Sequence, residues 1–183
     1  MAPTLGRWTE TLDVREFLVT RMSKRKQFLG LIAWFGVTFV AAGVGSLASI
    51  NAEAFYMQLV RPEWAPPPSV FGPVWMMLYA LMALAAWLVW RIGGFHAAST
   101  ELSVFLIQLA INALWSWLFF GWHLGLLAFA GILFLWALIL ATLITFWHIR
   151  PLGGALLTPY LLWVSFASVL NYTIWQLNPQ VLG

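Results

Sequence analysis

Tryptophan is the residue through which this chain could do chemistry: there are 13 in 183 residues, alongside no cysteine at all. Trp75, Trp115, Trp136 and Trp163 lie well inside long uncharged runs. An indole offers a flat face to a flat apolar ligand, and its N–H wants an acceptor once buried. Packing between helices or contact with lipid would use the same four residues, and spacing alone does not separate these readings. The usual acid–base groups are missing: no carboxylate pair, no Ser–His–acid set and no phosphate-binding glycine loop is visible. The lack of cysteine excludes disulfides, thiolate metal sites and a thiol nucleophile. His96, His123 and His148 fall at expected helix ends, which suits interfacial residues better than metal ligands.

The second group able to recognise a ligand is uncharged and polar. Gln108 and Asn112 are four residues apart, so they share one helix face. Ser165, Ser168, Asn171 and Tyr172 give a polar side to the last apolar run. Such amides either join helices or line a cavity and orient a ligand, and both readings stay open. No Asp, Glu, Lys or Arg lies within any apolar run, which counts against ion pathways, proton relays and voltage sensing.

The elements that must position these residues follow from composition. The chain is 62% hydrophobic and 8% charged, against about 45–50% and about 25% in soluble domains. A bilayer is the solvent that fits. Five uncharged runs reach the roughly 20 residues needed to cross its core: 28–50, 69–90, 102–122, 124–147 and 152–177. Backbone groups in lipid must be bonded within their own segment, so each run is read as a helix. The expectation is an all-α membrane protein, a bundle of five transmembrane helices over 28–178. A charged segment, 1–27, precedes it as an interfacial helix or a disordered stretch, and a short tail, 179–183, follows. Pro159 removes a helical hydrogen bond, so a kink is expected there. Ala41, Gly45 and Ser49 form a small-residue stripe suited to close packing, within the bundle or at a homodimer seam. No internal repeat is visible, against the common transporter folds.

Six of the nine Lys and Arg residues precede Gln27. Arg91 and Arg150 fall on the same side of the membrane, and Arg61 alone on the other. Positive charge is retained in the cytoplasm on insertion, so the N-terminus is expected to be cytoplasmic. The basic excess is read as topological, with no nucleic acid as partner. Trp90, Trp122, Trp147 and Trp175, at helix ends, are expected to form an interfacial belt.

Several stretches together resemble one family. "RPEWAPPPSVFGPVWMMLY", "WLVWRIGGF", "QLAINALWSWLFFG" and "LLTPYLLWVSFASVLNYTIWQLN" occur in the order found in the translocator protein family. That family is also called tryptophan-rich sensory protein and, formerly, the peripheral benzodiazepine receptor. The resemblance covers roughly residues 28–178. It implies a five-helix receptor or sensor, often dimeric, that binds porphyrins such as protoporphyrin IX and haem. It also implies binding of synthetic isoquinoline carboxamides and benzodiazepines. No cofactor is required and no metal site is implied; porphyrin or haem is the ligand.

Residue by residue, Trp75 and Trp163 match the family's porphyrin-contacting pair, and they are the residues to act if the ligand is degraded under light. Ala167 matches a small position whose size tunes affinity. Asn112 and Trp115 fall in the third-helix cavity wall. Trp64, Pro66 and Pro67 match the loop element over the pocket mouth, where the proline run makes a preorganised lid. Leu170 and Tyr172 are not followed by the basic residue of the animal members' cholesterol motif. Cholesterol is therefore not expected as a ligand; a bacterial-type member with a tetrapyrrole ligand is, in a cell-envelope membrane, with the mitochondrial outer membrane as the alternative for a eukaryotic member. The alternatives are a light-dependent porphyrin-degrading enzyme and a porphyrin or lipid transporter.

Overall fold

The computed structural model describes residues 22–183. Among them five helices are long and apolar enough to cross a membrane: Lys24–Ala48, Pro68–Trp90, Ser99–Gly121, Gly125–Ile149 and Pro151–Leu177. The possible interfacial helix at the N-terminus falls on residues outside the described part. The first helix begins four residues before the apolar run, because Ser23 caps it by accepting from the Lys26 N–H at 3.3 Å. Lys24–Gln27 therefore belong to the helix. Beyond the fifth helix, Pro179–Leu182 form one further helical turn with Leu182 fully buried.

The helices form a ring in the order first, second, fifth, fourth, third. First and second meet tightly at the end away from the first loop. There Gly30 leaves space filled by the Trp90 ring, and the Trp87 Nε1–H donates to the Gln27 carbonyl at 2.8 Å. Gly45 faces Ala113 and Ser116 of the third helix, so this member of the small-residue stripe packs inside the bundle. The fourth and fifth helices are bonded by Trp136, whose Nε1–H donates to Ser165 Oγ at 2.8 Å. Gly154 lies against Trp147, and Gly153 lies beside Val89 where the fifth helix meets the second.

Two irregularities set the helix directions. The third helix ends in a π-helical turn, Trp117–Gly121, followed by His123 in the left-handed region at φ 56°. This turns the chain into the fourth helix within a few residues. In the fifth, helix Pro151–Ala155 stops and resumes at Thr158, with Pro159 in the first turn of the resumed segment. The expected kink is thus a break just before the proline, where its missing N–H costs nothing.

The tryptophans at helix ends divide. Trp122 and Trp147 are half exposed, as a belt requires. Trp90 packs on Gly30, and Trp175 packs on Gly125 and stacks with Phe129 at 6.1 Å, so these two serve helix contacts.

Candidate functional site

A cavity of about 330 Å³ lies between the first, second, third and fifth helices, at the end covered by the first loop. The volume is at the lower end of the about 300–1,000 Å³ of small-molecule sites. Of the residues singled out from the sequence, Trp75, Asn112, Trp115, Trp163 and Ala167 all line it. Three helices supply them: the second carries Trp75, the third Asn112 and Trp115, and the fifth Trp163 and Ala167. The fourth helix contributes none.

Each cavity tryptophan is backed by its own cluster of aromatic rings. Trp75 lies 5.8 Å from Tyr79 and 6.1 Å from Tyr160, centroid to centroid. Trp163 meets Phe71 at 6.0 Å and Phe166 at 5.6 Å. Trp115 stacks on Phe119 at 5.7 Å with planes 13° apart. Such edge and offset contacts hold the large rings in place.

The polar floor is a knot of three helices. Tyr79 Oη donates to Asn112 Oδ1 at 3.2 Å. Asn112 Nδ2 and Gln108 Nε2 both donate to Tyr160 Oη. Asn112 is 1% exposed and Gln108 0%. Asn112 therefore takes both roles open to it in the sequence, joining helices and lining the cavity; Gln108 only joins. Asn171, the third candidate for joining helices, is buried with no hydrogen-bond partner among the described residues. The indole N–H groups of Trp115 and Trp163 are likewise buried and unpartnered among them.

The lid differs in detail from its expected form. A short helix, Ala52–Gln58, precedes the proline run and lays Ala52, Glu53 and Tyr56 on the cavity. Trp64, Pro66 and Pro67 do not line it; Pro68 does. Trp64 is half exposed and meets Phe166 edge-on at 5.9 Å, outside the cavity. The Pro66 carbonyl accepts from Tyr56 Oη at 3.2 Å, and Arg61 stacks on the Tyr56 ring at 4.9 Å. Burial pushes the Tyr56 hydroxyl above its ordinary pKa and Arg61 partly offsets this, so the phenol stays a neutral donor. Sequence reading missed Tyr56 because "NAEAFYMQLV" carries no motif. Its one signal was a helix-forming stretch with a single acid in the first turn.

Glu53 is the charged side chain on the cavity, exposed at its rim. Ser46 and Gly72 are cavity residues that also face outward, on the first and second helices. Among the described residues, no three His, Asp or Glu side chains come together as a metal site would need. His123 instead stacks on Phe55 at 4.2 Å.

The sequence profile of the TspO/MBR family matches residues 33–176. The chain is 38% identical to the tryptophan-rich protein TspO of Chlorobaculum tepidum over 159 residues, 84% of this chain and 99% of that protein. It is 36% identical to the tryptophan-rich sensory protein of Cereibacter sphaeroides over 146 residues, 78% and 90% of the two chains. The human translocator protein is 38% identical over 126 residues, 68% and 75%.

Proposed function

The chain belongs to the TspO/MBR family, and from that premise we propose that it is a membrane receptor or sensor for porphyrins. Protoporphyrin IX or haem occupies the cavity under the first loop, and isoquinoline carboxamide or benzodiazepine-type compounds compete for it. One observation carries the reading: Trp75, Asn112, Trp115, Trp163 and Ala167 border a single cavity with aromatic walls. A macrocycle larger than this space projects through the rim where Ser46 and Gly72 are exposed. The word "sensory" in the name of the Cereibacter sphaeroides relative supports a signalling role, and the word "translocator" in the name of the human one keeps transport as the alternative. The N-terminus is cytoplasmic and the lid faces away from the cytoplasm, in a bacterial envelope membrane. The homodimer implied by the family uses a surface other than Gly45, which is already packed on the third helix.

Titration of the purified protein with protoporphyrin IX, followed by tryptophan quenching, tests the site. The double variant Trp75→Phe, Trp163→Phe should bind at least tenfold more weakly; equal affinity would sink the assignment.

Light-dependent breakdown of the ligand is the second reading. It is favoured by Trp75 lying within about 6 Å of two tyrosines, which are oxidisable neighbours for an indole radical. Absorbance loss that needs light, oxygen and both tryptophans would establish it; equal loss without protein would reject it.

A further inference from the structure

Asn178 stands just past the fifth helix and outside the cavity, yet it holds the lid. The Val60 N–H donates to its Oδ1 at 2.9 Å, and its Nδ2 donates back to the Val60 carbonyl at 2.9 Å. The remaining Nδ2 hydrogen goes to the Ile174 carbonyl at 2.8 Å, closing the last turn of the helix. The side chain is 7% exposed. This two-way pairing copies one rung of a strand ladder, between residues 118 apart in sequence.

Val60 is where the lid divides. On one side is the helix Ala52–Gln58, which lays Tyr56 on the cavity; on the other is the proline arm ending at Pro68. Tyr56 Oη to the Pro66 carbonyl and Arg61 on the Tyr56 ring join these two arms to each other. Among the described residues, the Val60–Asn178 pair is the one hydrogen-bonded attachment of residues 51–67 to an element not contiguous with them. Leu59, beside it, is buried. The loop's other contacts with the bundle are between rings, Phe55 on Phe119 and His123 and Trp64 on Phe166; ring contacts are less directional than a paired amide, so the Val60–Asn178 pair is what fixes the position of the loop.

We propose that Asn178 is a positioning residue, the pin that holds the first loop over the cavity and sets the rate at which ligand exchanges. It touches no ligand and acts through Val60. The kinetic part rests on the porphyrin-binding reading above; the pinning part does not. Asn178→Leu removes all three bonds. Asn178→Asp keeps the acceptor for Val60 N–H but replaces the donors with a carboxylate facing two carbonyls.

Hydrogen exchange of residues 52–67 in the full chain, reconstituted in lipid without ligand, reads the pin directly. Exchange should rise at least tenfold in both variants, the size expected from losing one to two net hydrogen bonds. Exchange in the spanning helices should stay unchanged. Stopped-flow quenching with protoporphyrin IX should then show association and dissociation both accelerated, with a smaller change in Kd. If Asn178 variants fail to fold, Val60→Pro removes the donor from the loop side and leaves the end of the fifth helix intact. Loop exchange equal to wild type in a folded variant overturns the proposal. Raised loop exchange with no porphyrin binding in the wild type upholds the pin and rejects only the ligand.

Discussion

The phenol of Tyr79 donates to the side-chain oxygen of Asn112 across 3.2 Å, joining the second and third helices at the floor of the cavity. Asn112 passes the link to Tyr160 of the fifth helix through its own N–H. One amide thus fixes three of the four helices that enclose the site.

Asn112→Leu should therefore destabilise the bundle by about 1–3 kcal/mol, because it strands the buried Tyr79 hydroxyl and leaves Tyr160 Oη with Gln108 alone. Tyr79→Phe leaves Asn112 Oδ1 without its partner but keeps the link to Tyr160, and should cost less, about 0.6–1.5 kcal/mol. Thermal unfolding in one detergent, followed by circular dichroism, checks the order. A Tm for Asn112→Leu at or above that of Tyr79→Phe contradicts the knot.

Ala167 presents its small side chain to the cavity. Ala167→Phe should fill the space beside Trp163, weakening protoporphyrin IX binding about tenfold or more while leaving Tm within a few degrees. Tight binding retained by this variant would mean that the ligand lies elsewhere.

The prolines of the lid act through the unbound loop. Changing Pro66, Pro67 and Pro68 together to glycine adds about 0.4–1 kcal/mol of loop entropy for each residue. Affinity should fall by roughly tenfold, measured by the same titration, with helix content unchanged. Because the cost is one of loop entropy, the three should contribute comparable shares, although Pro68 alone of them borders the cavity.

Two glycines of the first helix should behave oppositely. A methyl group on Gly30 would overlap the Trp90 ring, so Gly30→Ala should cost about 1–3 kcal/mol. Gly43 has open space around the same position, so Gly43→Ala should be neutral or slightly stabilising. Parallel thermal melts of the two variants decide it.

The five spans were legible because a run of uncharged residues in lipid has only one way to bond its backbone. Their ends were less so. The first helix starts at Lys24 because of the capping hydroxyl of Ser23, which hydropathy does not register. The cavity tryptophans were legible through family motifs, but their depth alone did not separate Trp136 from the others. Trp136 spends its N–H on Ser165, and that pairing depends on how the fourth and fifth helices are rotated. Trp64 looked like a cover because it sits among the prolines; the path of the loop carries it to Phe166 instead. Asn178 was invisible, since its partner is a backbone peptide and any residue could stand at position 60.

The circular order of the helices bears on synthesis. The first four segments to leave the ribosome include both the floor residue Asn112 and Trp75, but not Trp163 or Ala167. The wall closes only when the fifth segment inserts between the second and fourth, seating Gly153 beside Val89. A nascent chain halted after four segments has an open groove facing lipid in place of a compartment. On the proposed reading, the wall that holds the ligand is therefore completed in one late step, when the fifth segment brings in Trp163 and Ala167.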